Sequence, residues 1–368
     1  MVLGRRLRPP SGAAVWFSAV TLIVVMTACS KGPSVPPTAA TDRPVDVTTG
    51  PEPAPPPVVD ESLAPGRPAL VTVEVATVWN APGVARPVDE PSITNPVDVR
   101  QWTAAMSHEE KLWLVDRLVT QALYGERVVV REVAGEWARV VVTGQPSSLD
   151  PDGYPGWIPA VQLRAGEARV TPTSAVVTRP STTLRNAADP SRPLLDLSYN
   201  SPLPVLSAGP TEVTVALPTG GQGLLAASDV DVAPPGPQRT TGADLVGGAR
   251  LFSGLPYLWA GTSAAGFDCS GLTLALYGAQ GIVLPRDADD QAGVGTPVDR
   301  SRLQPGDLLF YSSGEERSSI DHVSMYVGDG MMVQAPATGR TVETVPVDSP
   351  AYAPRFWGAR RYLPAGSA

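Results

Sequence analysis

Cys269 lies in Gly266-Phe-Asp-Cys-Ser-Gly271, where a glycine-rich loop runs into an apolar stretch, Leu272-Thr-Leu-Ala-Leu-Tyr277, that reads as a helix. His322 lies downstream in Asp321-His-Val-Ser-Met-Tyr-Val327, which reads as a strand. A thiol opening a helix sees unpaired N–H groups and the positive end of the helix dipole, and both favour thiolate over thiol. The N–H of Cys269 or of its neighbours is placed to stabilise a developing oxyanion. Histidine is the natural base, because its pKa lies near working pH and it can hand a proton to a leaving amine. Strand alternation puts His322, Ser324 and Tyr326 on one face. The second ring nitrogen needs an orienter. Gln334, in Met331-Met-Val-Gln-Ala-Pro336, lies at hairpin distance past Gly328-Asp-Gly330. Its oxygen can accept the imidazole N–H and fix the tautomer. The competing reading of Cys269 is a buried structural cysteine, for which a polar Asp-Cys-Ser frame between glycines is a poor setting. Two histidines in the whole chain argue against a catalytic zinc site, and no metal or cofactor is expected.

These residues need a scaffold. Gly242 to Phe252 reads as a helix that opens a final domain over residues 237–368, followed by Gly254-Leu-Pro-Tyr-Leu-Trp-Ala-Gly261. Ahead of it, residues 169–236 read as a small all-β unit ending in the linker Val232-Ala-Pro-Pro-Gly-Pro237. Its strand candidates are Val176–Thr178, Leu194–Leu197, Pro204–Leu206, Glu212–Leu217 and Gln222–Leu225. Residues 66–168 form a first unit. Leu70 to Trp79 has strand composition, and Arg127–Val133 with Glu136–Val142 make a hairpin around Ala134-Gly135. Between them Trp102 to Leu123 reads as helical. Ser107 and Glu110 offer a capping box, and Leu112, Val115, Leu118, Val119 and Ala122 recur at helical spacing. Short strands with Gly and Pro turns predict small barrels, the first with a helical insertion.

The chain has 368 residues, of which 41 are proline and 35 glycine, with a formal net charge of -8. That balance excludes nucleic acid as a partner, since phosphate binding needs concentrated Lys and Arg. Residues 1–29 read as a processing segment. Arg5, Arg6 and Arg8 precede the apolar run Ala13 to Val25, and Met26-Thr-Ala-Cys29 follows. That last string resembles a bacterial lipobox, which implies a lipid on Cys29 and an exported protein held at the membrane, facing the cell wall. An ordinary secretory signal is the alternative. Residues 30–65 are rich in proline and read as a tether that cannot repay its own ordering entropy. A disulfide between Cys29 and Cys269 across that tether would silence the thiol and is not expected.

Phe267-Asp-Cys-Ser-Gly271, Leu284-Pro-Arg-Asp287, Leu303-Gln-Pro-Gly-Asp-Leu308, Asp321-His-Val323 and Gln334-Ala-Pro336 together resemble the signature blocks of the NlpC-type cell-wall cysteine peptidases. The resemblance implies an α+β fold: a reduced papain-like catalytic domain. By it Cys269 is the nucleophile, His322 the base and Gln334 the third member, where the family more often has His. Gln121-Ala-Leu-Tyr-Gly-Glu126, Gly135-Glu-Trp137 and Gly153-Tyr-Pro-Gly-Trp157 make the two leading units resemble bacterial SH3-like domains. This order of domains is similar to the YkfC-like γ-D-glutamyl-L-diamino-acid endopeptidases, which act on muropeptide stems with a free L-Ala amine. The comparison implies that Tyr257 and Trp259 line the pocket and that Asp268 and Ser270 hold the L-Ala amine and the peptide. Tyr124 is expected to reach in from the first barrel, with an acidic residue beside it, Glu90 or Asp89. Ala288 stands where some relatives place Ser. Two other readings stay open: action on intact peptidoglycan, and a non-catalytic wall-binding lipoprotein.

Overall fold

The computed structural model describes residues 58–314 and 319–363. The processing segment, Cys29 and most of the tether lie outside the described residues. Folded chain begins before the expected end of the tether at Pro65. Leu63 is buried and Val59 packs beside it in the core of the first barrel, while Ala165 N–H donates to the Asp60 carboxylate at 3.0 Å.

The first barrel contains β1 (Pro68–Val71), β2 (Val75–Trp79), β3 (Leu118–Leu123), β4 (Arg127–Ala134), β5 (Trp137–Val142), β6 (Tyr154–Pro159) and β7 (Leu163–Ala165). They pair in the order β3-β2-β6-β5-β4-β1-β7. One face of these Val-rich strands buries Val71, Val78, Val128, Val130, Val140 and Ile158, the period-2 pattern that a half-buried sheet requires. The helical insertion between β2 and β3 is three short helices, α1 (Glu90–Ile93), α2 (Val99–Ala105) and α3 (His108–Trp113). Ser107 caps α3 in a reciprocal box with Glu110.

The single helix expected from Trp102 to Leu123 is therefore corrected. Asp116 adopts φ 62°, a conformation no helix continues through and one that Asp tolerates better than most residues. Beyond it Leu118–Leu123 is strand, with Ala122 opposite Ala76 and Gln121 opposite Thr77. Leu118 and Ala122 satisfy a four-residue and a two-residue repeat alike, and pairing with β2 decides between them.

The second barrel contains β8 (Ser174–Val177), β9 (Ser181–Asn186), β10 (Pro193–Ser198), β11 (Pro202–Ala208), β12 (Glu212–Ala216), β13 (Gln222–Ala226) and β14 (Val230–Ala233), ordered β10-β9-β13-β12-β11-β8-β14. Two of these were hidden in the sequence. β9 is mostly Ser, Thr and Arg, and β14 begins the stretch that reads as linker.

The last domain opens with α4 (Gly242–Arg250) and the small hairpin β15 (Thr262–Ser263) and β16 (Gly266–Phe267), which leads into α5 (Cys269–Gly278). α6 (Ala288–Gly293) follows, then a six-stranded sheet of β17 (Thr296–Val298), β18 (Leu308–Ser312), β19 (Ile320–Gly328), β20 (Met331–Gln334), β21 (Glu343–Pro346) and β22 (Phe356–Arg361). The sheet order is β17-β22-β18-β19-β20-β21. α5 is apolar all round and buried along most of its length, sandwiched with Val323, Met325, Val333 and Phe310 of the sheet in the main core.

Both barrels dock on this domain. Trp79, Trp102, Leu114 and Leu118 of the first barrel form one buried cluster with Leu258 and Ala260. Trp259 donates its indole N–H to the Leu118 carbonyl at 2.9 Å, and Gln121 carbonyl and side-chain oxygens accept from Thr262. Tyr199 of the second barrel packs edge-on against Phe252 at 5.1 Å. No helix among the described residues is long and apolar enough to cross a membrane.

Candidate active site

Asp268 is the N-cap of α5, its carboxylate accepting from Gly271 N–H at 2.6 Å. The loop before it lies so close that a Cβ on Gly271 would sit 2.0 Å from the Gly261 carbonyl oxygen, and one on Gly261 2.2 Å from that of Gly266. Those glycines let the loop turn tightly into the helix and hold Cys269 at its first residue. The Cys269 thiol is free and half-buried. Burial, then the Asp268 carboxylate, pushes its pKa up to about 12, against backbone hydrogen bonds from Val323 and Ser270. Burial thus works against the thiolate character that the helix terminus favours.

His322, on β19, is buried. Its Nε2 lies 2.7 Å from Gln334 Oε1. The Tyr352 ring stacks on it at 5.5 Å and 26°, and Tyr311 flanks it at 5.7 Å. Burial lowers the His322 pKa to about 4, with the Gln334 hydrogen bond opposing. Burial thus disfavours the charged form of both groups. The Val323 hydrogen bond ties the thiol to the backbone next to His322.

A cavity of about 380 Å³ opens over the thiol. Its catalytic-domain wall includes Tyr257, Trp259, Asp268, Ser270, Arg286, Asp287, Asp289 and Asp321. Its opposite wall comes from the first barrel: Asp116, Leu118, Val119 and Tyr154. Tyr154 donates to Asp287 at 3.1 Å. Burial raises the Asp287 carboxyl, as does Asp268, while Arg286 opposes. A larger cavity, about 590 Å³ between the two barrels, contains no thiol or imidazole.

The sequence-predicted residues divide. Tyr257, Trp259, Asp268, Ser270 and Cys269 line one cavity, with His322 and Gln334 in the sheet beside it. Tyr124 does not reach in. It is 2% exposed and packs in the core of the second barrel, because the β3–β4 turn that carries it points toward that barrel. Glu90 is exposed on the insertion, outside the cavity. Asp89 is buried, held by Arg86 at 2.9 Å and by the Trp102 indole N–H at 2.9 Å. The carboxylate that the first barrel brings to the cavity is Asp116, at the break between α3 and β3.

Arg286, in Leu284-Pro-Arg-Asp287, joins the site as well. Its side chain is 1% exposed. It grips Asp268 through two bonds of 2.7 and 3.2 Å, Ser270 at 2.9 Å and, from the first barrel, Thr120 at 2.9 Å. Both Asp268 oxygens are thereby engaged within the protein. The string Leu284-Pro-Arg-Asp287 was the available signal, but only the fold shows the bond to Thr120. Among the described residues no cluster of His, Cys, Asp or Glu is arranged to hold a metal ion.

A helix-borne cysteine beside an amide-oriented histidine on the neighbouring sheet is an acyl-transfer arrangement. Residues 254–361 match the model of the NlpC/P60 family, residues 177–232 that of the YKFC SH3b2 domain, and residues 116–163 that of the bacterial dipeptidyl-peptidase Sh3 domain. A γ-D-glutamyl-L-lysine dipeptidyl-peptidase of Bacillus cereus is 41% identical over 308 residues, 80% of this chain and 91% of the relative. The chain belongs to the NlpC/P60 family. It is a cysteine peptidase with two leading SH3-like domains. The Bacillus subtilis γ-D-glutamyl-L-lysine dipeptidyl-peptidase is 35% identical, covering 78% of this chain and 96% of that one. The crystal structure of an NlpC/P60 family protein from B. cereus superposes with a TM-score of 0.75 at 41% identity, covering 81% of this chain and all of that chain.

Proposed function

We propose that this cysteine peptidase, a peptidoglycan endopeptidase, hydrolyses the γ-D-glutamyl–diamino-acid bond of stem peptides whose N-terminal L-Ala amine is free. Cys269 is the nucleophile, His322 the base and Gln334 the third member. The thiol sulfur attacks the γ-carbonyl carbon as its proton passes to His322. The C–N bond breaks, the proton goes to the leaving amine, and a thioester remains on Cys269. Water then attacks the thioester, giving a proton back through His322 to the departing sulfur.

The observation that carries the substrate reading is the composition of the cavity wall. Five acidic side chains (Asp116, Asp268, Asp287, Asp289 and Asp321) and one guanidinium, Arg286, line the cavity; Arg286 is bound to Asp268, and Arg355 pairs with Asp321. Such a lining favours an ammonium group over a neutral amide. The first barrel walls the same cavity, which suits a short trimmed stem better than crosslinked wall. The two Bacillus relatives are named γ-D-glutamyl-L-lysine dipeptidyl-peptidases, which supports the choice of bond. Asp116 takes the role first given to Glu90. The leader and Met26-Thr-Ala-Cys29 favour export and a lipid on Cys29, tested by fatty-acid labelling lost in Cys29→Ala.

The substrate test compares L-Ala-γ-D-Glu-diamino acid with its N-acetylated form. The free amine is cleaved at least tenfold faster in kcat/KM, about the worth of one charge-assisted hydrogen bond. Equal rates on both refute the amine reading. Retained turnover in Cys269→Ala refutes the mechanism.

A further inference from the structure

An amide is an ambiguous partner for an imidazole. Its oxygen and nitrogen are nearly isosteric, so a buried Gln can present either an acceptor or a donor to the same ring atom. Presenting the donor to His322 Nε2 would put the ring proton on Nδ1 and leave no free lone pair for the thiol. Something must choose between the two orientations.

Gln334 is 1% exposed, so water cannot make the choice. Its Nε2 donates to Glu343 Oε1 at 2.9 Å. Glu343 stands directly opposite Gln334 in the β20–β21 ladder. Arg340 holds both Glu343 oxygens, at 2.5 and 2.7 Å, so both face a donor. An ionised carboxylate only accepts. It therefore takes the NH2 end of Gln334 and turns Oε1 toward His322, 2.7 Å away. An accepting oxygen at that distance requires the proton on Nε2, and the lone pair falls on Nδ1.

We infer that Glu343 is a positioning residue, which sets the His322 tautomer through Gln334. The inference rests on the reading of His322 as the base. Arg340 supports it from the turn before β21, whose Gly339 lies against His108 of the first barrel, so the anchor of the relay sits beside the docked insertion.

The test compares Glu343→Leu with Glu343→Gln. Leucine removes the acceptor, and kcat falls about tenfold with KM within twofold, the loss of one hydrogen bond to a charged acceptor. Glutamine keeps an acceptor oxygen, which the donor-only Arg340 fixes at the place where Glu343 Oε1 accepts from both Arg340 and Gln334, and kcat stays within about threefold of wild type. Ring nitrogen shifts are read in ¹⁵N-histidine-labelled protein carrying Cys269→Ala; with two histidines in the chain, His322→Gln assigns them. The wild-type ring shows protonated Nε2, Glu343→Leu shows both tautomers, and Glu343→Gln restores the first. Unchanged tautomer and kcat in Glu343→Leu overturn the inference. So does a fall in kcat with the tautomer intact, which marks Glu343 as merely structural. Activity surviving in Cys269→Ala would instead refute the underlying mechanism.

Discussion

Replacing Arg286 by Met tests whether the frame of Cys269 is held by one buried ion pair. Arg286 is 1% exposed and the Asp268 side chain 11%. Burial works against the cation, and Asp268 more than offsets it, so Arg286 titrates higher than usual. Methionine fills the aliphatic volume but removes four hydrogen bonds, two to Asp268 and one each to Ser270 and Thr120. Asp268 is then left with Gly271 N–H and a weak contact with Ser270 at 3.4 Å. Removing one partner of a buried pair costs about 3–5 kcal/mol, mostly the desolvation of the abandoned charge. At about 2–4 °C per kcal/mol for a unit of this size, the melting temperature drops by roughly 6–20 °C. The double variant Asp268→Asn/Arg286→Met removes the stranded charge, and Asn still caps α5. It recovers about 2 kcal/mol, measured as a coupling in a double-mutant cycle by urea denaturation at pH 7. A cost below about 1 kcal/mol for Arg286→Met, or strict additivity of the two changes, refutes the argument.

Other outcomes follow from the same geometry. The acid limb of kcat/KM falls near pH 4, where His322 protonates, and no alkaline limb arises from Cys269 below pH 9; an acid limb at pH 6–7 contradicts burial of the imidazole. Stability falls as pH drops from about 6.5 through 4, because the unfolded chain binds the His322 proton first, and His322→Gln removes that slope in urea titrations. Asp116→Asn raises KM for the free-amine stem about tenfold and leaves the N-acetylated stem unchanged, whereas Glu90→Gln alters neither; the reverse pattern in steady-state kinetics would restore Glu90. Gly271→Ala drives a Cβ to 2.0 Å from the Gly261 oxygen and costs about 3 kcal/mol, read as a lower urea midpoint.

Side-chain chemistry written into short local strings was legible before any fold was known. Asp268-Cys-Ser-Gly271 announces a capped helix start, because the Asx cap and the close-approach glycine are local requirements. His322 and Gln334 follow from strand period and hairpin distance. The Ser107–Glu110 box is likewise local. The errors came where two local signals competed. Leu118 and Ala122 fit helix and strand alike, and only pairing with β2 separates them. β9 is too polar to read as a strand, and its burial comes from neighbours remote in sequence.

What the sequence by itself determined is the candidate set and its order: a thiol on a helix terminus, an imidazole on a strand and an amide across a hairpin. These depend on contacts within a few residues or one turn. What only the tertiary structure decided is everything that reaches the site across domains. It moved Tyr124 into the second barrel and brought Asp116 to the cavity in place of Glu90. It joined Arg286 to Thr120 and set Glu343 behind Gln334. It also set burial against the helix terminus at the thiol, since the terminus is visible in the sequence but the depth of burial is not. Desolvation is a property of the packed whole, and at this site it opposes the local field.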